Sequence, residues 1–306
     1  MPATIGGIPF WLVKALLIGL GAVFGSFANV LIYRIPRAES VIRPGSRCPA
    51  CGRPLRWYEN IPVVSFIGLL GRCRSCKAAI SLRYPLVELC GAVLSLASGY
   101  RALAWTGPAV DLAGLLAAWA FVFAFCFLLL VITFVDLEHW RIPPVFTLPG
   151  AALGLLCSIA LGDLTRVRPL DALAGAALGV IPLVLLIEGY RRLTGREGMG
   201  YGDVFLMGMI GAYLGYTAIP FVLFASSVQG LLIAVPSVWL KGRTRPPWED
   251  AARLSSADSP QAEPGRPGLR FAAIPFGPFL AVSALEWLFF HEALIQRLSD
   301  WVGSTG

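Results

Sequence analysis

Two sets of residues have types and spacings suited to chemistry. The first is Cys48, Cys51, Cys73 and Cys76, two C-x-x-C pairs separated by 21 residues within "GSRCPACGRPLRWYENIPVVSFIGLLGRCRSCKAAISLRYP". Thiolates are soft anionic ligands, and four of them saturate tetrahedral Zn²⁺, so such a site is structural and keeps no open position for a reacting water. The separation lies just beyond the usual range for zinc knuckles. Two disulfides are the alternative, disfavoured if the loop faces a reducing compartment.

The second set is a pair of acids, Asp136 in "VITFVDLEHWRIPP" and Asp203 in "TGREGMGYGDVFLMG". Two neighbouring carboxylates that share one proton can hydrolyse an amide without metal or nucleophile. One deprotonates the attacking water while the other protonates or polarises the carbonyl, because close like charges do not both ionise. Gly200 and Gly202 lack a Cβ and let extended backbone or a substrate come near Asp203. Each acid also has a plain explanation. G-x-G-D at a helix start reads as a loop with an Asp N-cap, and Asp136 reads as an interfacial acid with Arg141 nearby.

The elements that must carry these residues are membrane helices. The 306 residues are 57% hydrophobic and 14% charged, with a mean hydropathy of +0.71, far too apolar for a water-soluble domain. Apolar runs at 9–33, 84–104, 112–135, 145–162, 170–190, 204–218, 219–240 and 272–295 predict an all-α polytopic protein of about eight transmembrane helices. The break near Pro220 is the least distinct, and Pro143 and Pro144 are expected to halt the third span. The first run resembles a signal peptide only in its small residues. Its length and its single basic residue, Lys14, favour an uncleaved span.

Lys and Arg concentrate on one side: the loops 34–83, 136–144, 191–203 and 241–270 hold 20 of the 25. By the positive-inside rule these loops are cytoplasmic and both termini point outward. The tetracysteine loop is then cytoplasmic, which favours metal over disulfides, and Asp136 and Asp203 lie at one membrane depth. The net charge of +7 is mostly this asymmetry. No stacking-aromatic module accompanies it, so no nucleic-acid partner is expected, and the bilayer lipid is the surrounding partner.

Other features weigh less. Gly21, Gly25, Ser26 and Asn29 suit close helix approach, and Asn29 needs a polar partner at that depth. Arg34 is placed to snorkel at the boundary. Cys90, Cys126 and Cys157 lie in apolar runs and read as packing residues. Glu88, Glu188 and Glu286 are the remaining acids within or beside spans, and His139 and His291 are isolated. Residues 241–270 read as a flexible cytoplasmic linker. No phosphate loop, dinucleotide fingerprint or G-x-S-x-G is present.

Five motifs in order, "GSFANVLIYRIPR", "CPACGRPLRWYENIPVVS" with "GRCRSCKAAISLRYPLVE", "DLEHWRIP", "GMGYGD" and "IPFGPFLA", resemble the bifunctional prepilin leader peptidase/N-methyltransferases, GxGD-type membrane aspartic peptidases of type IV pili and type II secretion. The resemblance covers most of the chain. It implies that Asp136 and Asp203 are the catalytic pair, cutting the short positive leader from type IV prepilins and pseudopilins at the cytoplasmic face of the bacterial inner membrane. It also implies N-methylation of the new N-terminal residue, usually Phe, from S-adenosylmethionine. On this basis residues 1–110 form a methyltransferase-associated region and 111–306 the peptidase region. Glu59, Gly71 and Glu88 are candidates for the methyl-donor site, since a carboxylate can balance a sulfonium. The chain departs from the family pattern at Phe205, where Lys is common, and at Pro144, where Asp is common. A peptidase without methyltransferase activity, or an ion or proton conductor using the same acids, are the competing expectations.

Overall fold

The computed structural model describes residues 4–107, 110–195, 200–241 and 275–304. The expected linker at 241–270 lies almost wholly outside the described residues. The chain opens with a hairpin, β1 (Thr4–Ile5) and β2 (Ile8–Pro9), paired antiparallel with Ile5 opposite Ile8. Gly6 and Gly7, both at positive φ, make its two-residue turn. The all-α expectation holds apart from this small addition.

The helices are α1 (Phe10–Arg34), the short α2 (Val64–Gly68), α3 (Arg83–Thr106), α4 (Leu112–His139), α5 (Pro144–Ala160), α6 (Pro169–Thr194), α7 (Tyr201–Leu214), α8 (Ala218–Lys241) and α9 (Gly277–Ser304). Eight of them follow the apolar runs of the sequence. Five, α1, α3, α4, α6 and α9, are long and apolar enough to cross a membrane, whereas α5, α7 and α8 carry shorter apolar stretches. At 1.5 Å per residue the 14-residue α7 is about 21 Å long, short of the roughly 30 Å hydrocarbon layer. It is nonetheless apolar nearly all round, because from Val204 to Tyr213 most of its side chains are buried inside the bundle rather than facing lipid.

Helix α4 is the axis of the bundle. Phe121, Val122, Phe125, Leu129, Ile132 and Val135 lie in the main hydrophobic cluster with Val204, Met207 and Ile210 of α7 and Leu280 of α9. The Tyr213 ring stacks on Phe121 and Phe125, with centroids 4.9 and 4.6 Å away. A second, smaller cluster joins Ile5 of the hairpin to Val13, Leu17, Ala102, Trp119 and Phe123.

Small residues set the closest crossings, as the sequence suggests for α1. A Cβ on Gly21 would fall 2.5 Å from the Gly91 carbonyl of α3, and Gly175 of α6 meets Gly211 of α7 backbone to backbone. Polar groups in these seams find partners across helices. Ser95 donates to the Leu17 carbonyl at 2.6 Å, and Asn29 donates to the Tyr84 carbonyl at 3.1 Å. Arg34 does not snorkel freely; its guanidinium caps the loop after α1 through the Ser40 and Pro44 carbonyls at 2.9 and 2.6 Å.

Two helix breaks differ in mechanism from expectation. Helix α4 ends because Trp140 turns left-handed (φ 55), and the two prolines open the next helix, Pro143 as N-cap and Pro144 as its first residue. The break between α7 and α8 lies at Gly215 (φ 79), so Pro220 falls inside the first turn of α8.

Candidate functional site

Asp136 occupies the last turn of α4 and Asp203 the first turn of α7, and the two carboxyl groups are near enough to interact electrostatically. Asp136 is 5% exposed. Its Oδ2 accepts a hydrogen bond from the Gly277 N–H, 3.0 Å away, at the start of α9. Free N–H groups at a helix start favour an anion there. Gly277 must be glycine for this contact, since a Cβ would lie 2.6 Å from that same oxygen and 2.8 Å from Ile142 Cδ1. One carboxylate oxygen is thus fixed by backbone, which orients the other.

On the α7 side, Gly200 is the N-cap and Asp203 is the third helical residue; no side-chain capping bond is made. The plain N-cap explanation of Asp203 therefore does not apply, and its carboxyl is left for other use. Gly202 is a close-approach position, but what approaches is the protein itself: a Cβ there would sit 2.9 Å from Ile142 Cβ and 3.2 Å from the Ile142 carbonyl. This contact locks the start of α7 to the turn between α4 and α5, which holds the two acids in register. Among the described residues, a Cβ on Gly200 would meet only the Gly202 amide nitrogen, 3.9 Å away. Phe205 is half-buried in α7, and exposed Pro144 serves as the first residue of α5.

The remaining acids are engaged elsewhere. Glu188 pairs with Arg191 and Arg192 on its own helix at 2.8 and 2.9 Å. Glu286 accepts from Gln229 of α8 at 2.8 Å. His291 meets Arg101 at 3.1 Å, toward the other end of the bundle. Among the five acids singled out in the sequence, Asp136 and Asp203 are the pair that the fold brings together.

The four cysteines also converge. Their sulfurs all lie within 4.8 Å of one another, and none is in a disulfide. Each pair sits in a similar small turn. Cys48 N–H donates to the Arg53 carbonyl and Cys73 N–H to the Ala78 carbonyl, both at 2.9 Å, with left-handed Gly52 and Lys77 at matching positions. Backbone N–H groups of Cys76 and Ser75 point at the Cys73 sulfur and lower its pKa to about 6. Four thiols this close, one already poised to ionise, are a donor set for a soft or borderline cation, and the cluster can hold a metal ion.

The three methyl-donor candidates are dispersed around the segment between the cysteine pairs. Glu59 is buried and committed to the loop: it accepts from the Arg56 N–H at 2.9 Å and pairs with Arg53 at 2.7 Å, which together hold its carboxyl below the usual range. Gly71 (φ 67) lies before Cys73 against the Phe66 ring. Glu88, buried in α3, accepts the Val63 N–H at 2.7 Å. The cysteine loop is tied to the acid pair through Arg83 at the start of α3, which bonds both oxygens of Glu138 at 2.6 and 2.7 Å, two residues beyond Asp136.

Gly277 is the functional residue that reasoning from the sequence missed. Its motif is visible in "IPFGPFLA", but nothing in the local pattern shows that its amide meets an aspartate 141 residues away.

Comparison with known proteins gives two family models. Residues 19–102 match the bacterial peptidase A24 N-terminal domain and residues 123–235 match the type IV leader peptidase family. Curated relatives named prepilin leader peptidase/N-methyltransferase include one from Myxococcus xanthus (strain DK1622), 34% identical with 88% of each chain covered. Another, from Aeromonas salmonicida (strain A449), is 36% identical with 92% of each covered. The Pseudomonas aeruginosa protein is 36% identical over 93% of this chain and 92% of its own length. No solved structure shows significant similarity.

Proposed function

The chain belongs to the type IV leader peptidase family, and from that premise we propose that it removes the leader peptide from type IV prepilins and pseudopilins and then N-methylates the new N-terminus. The observation that carries the peptidase reading is the convergence of Asp136 and Asp203 from different helices, with one acid oriented by the Gly277 amide.

In the cleavage step, the unprotonated carboxylate of the pair takes a proton from water as the water attacks the scissile carbonyl. The protonated partner donates to the carbonyl oxygen, and the leaving amine regains a proton as the C–N bond breaks. The Gly277 bond leaves Asp136 Oδ1 to face water or substrate. A prepilin's apolar segment lies in the membrane with its basic leader on the Lys- and Arg-rich side, so its cleavage point falls at the depth of the pair. On this reading the enzyme lies in the bacterial inner membrane with its sites facing the cytoplasm.

Residues 1–110 supply the methyltransferase region and 111–306 the peptidase region. Cys48, Cys51, Cys73 and Cys76 would hold Zn²⁺, which would order the loop and offer no open position to either reaction, because four thiolates fill its coordination. When bound, S-adenosylmethionine would supply the methyl group: its S–CH3 bond would break as the neutral N-terminal amine forms the N–CH3 bond, with the neutral thioether leaving and a proton lost from nitrogen, so the protein's task is mainly positioning. Glu88 in α3 and Gly71 between the cysteine pairs are better candidates for this task than Glu59, whose charge Arg53 already balances.

The test is direct. Asp136→Asn and Asp203→Asn are each expected to insert normally and leave prepilin uncut; leader removal by either variant would sink the peptidase assignment.

A further inference from the structure

The segment Ile61–Leu70, between the cysteine pairs, turns apolar side chains outward at a depth fixed by one hydrogen bond. Val63 N–H donates to Glu88 Oε2, and Glu88 lies five residues along α3 from Arg83. The Arg83–Glu138 pair marks the charged rim of the bundle. At 1.5 Å per residue, the tether is about 7–8 Å inward of that rim, the level at which in-plane helices bury an apolar face.

Val64 and Ile67 lie three residues apart on the short helix α2, and backbone bonds from Ser65 to Ile61 and from Ile67 to Val63 lead the chain into it. Val64 is 63% exposed, Ile67 64% and Leu70 85%. Positive φ values flank α2 on residues that rarely adopt them, Val63 (φ 60) just before it and Leu70 (φ 52) two residues after it. Strain of this kind persists where surroundings over-determine it, and between these two positions Val64 and Ile67 stay exposed.

The Val63–Glu88 bond sets the segment beside α3, whose Leu86 and Leu89 are exposed, as is Leu82 just before it. Basic residues follow at once, Arg72, Arg74 and Lys77, suited to anionic headgroups. Attachment to a helix with exposed apolar residues, depth and flanking charge all favour lipid as the occupant over a second copy of the chain or a pilin segment.

We propose that Ile61–Leu70 is an in-plane membrane anchor, its apolar face in the headgroup–acyl boundary, pinning the metal-binding loop to the bilayer surface. The experiment uses the full-length, zinc-loaded protein with a photoreactive diazirine residue at position 67, in vesicles of phosphatidylethanolamine and phosphatidylglycerol. A second preparation carries the residue at position 70, and a reference carries it in place of exposed Glu39. Phospholipid adducts are expected to be roughly tenfold more abundant at 67 and 70 than at 39. Equal lipid adducts at all three, adducts to a second copy, or replacement of lipid adducts by pilin adducts when prepilin is added would each overturn the proposal. Retained zinc content verifies the loop in every preparation.

Discussion

The cysteine loop gathers its four thiols no more than 28 positions apart, whereas the aspartate site joins Asp136, Asp203 and Gly277 across 141. The loop is organised by two short turns and has little core of its own, so a metal bound there would supply folding free energy. The aspartate site has no such clamp. It exists because α4, α7 and α9 pack tightly enough that their ends meet, with Gly202 and Gly277 leaving no slack. A local site fails by losing its metal; an assembled site fails by sub-ångström displacement of a helix end.

The largest expected effect is at the assembled site. Asp136→Asn or Asp203→Asn should lower the cleavage rate by roughly 10³-fold or more, the scale of a lost acid or base, measured by mass spectrometry of the prepilin product. The next tests the loop. Cys73→Ser, or chelation of the metal, should abolish methylation while cleavage continues, and hydrogen exchange should show lost protection confined to about residues 46–80. If the helix ends lose protection as well, the two regions are not separable.

Gly277→Ala sharpens the comparison from the other side. A Cβ here displaces the Asp136 carboxyl, and misplacement of about 1 Å can cost on the order of 10²-fold, so kcat for cleavage should fall with KM and methylation little changed. A rise in KM alone would mean that Gly277 touches substrate rather than positioning the acid.

The smallest effect is at Glu59. Its carboxyl is held below the usual range by the Arg56 N–H and then Arg53, so its contribution to loop stability is present above the ordinary carboxylate pKa and lost as pH falls through the lowered one. Glu59→Gln should modestly reduce exchange protection of the loop at neutral pH and leave the KM for S-adenosylmethionine unchanged. A raised KM would return Glu59 to the methyl-donor site.

Most of the helical frame was legible because each apolar run is bounded by charge or glycine, and the cysteine cluster because its ligands are local. The Ile5–Gly6–Gly7–Ile8 turn carried a hairpin signal that the apolar run beside it masked. The Gly277 amide was not legible, because a backbone donor has no side-chain signature. Nor were the left-handed Val63 and Leu70, since β-branched and bulky residues argue against that conformation until tertiary contacts impose it. Asp203 was legible as an acid at a helix start, but only the register of Gly200 as N-cap separates it from an ordinary cap.

The central claim is that one chain holds two separable sites, and one measurement tests it most directly. Wild type, Asp203→Asn and Cys73→Ser are each given S-adenosylmethionine with either prepilin or a pilin already cut, and the product's mass and N-terminal residue are read. Asp203→Asn should leave prepilin intact yet make the pre-cut pilin one methyl group heavier, and Cys73→Ser should cut without methylating. Cleavage by Asp203→Asn, or loss of both activities in both variants, would contradict the account.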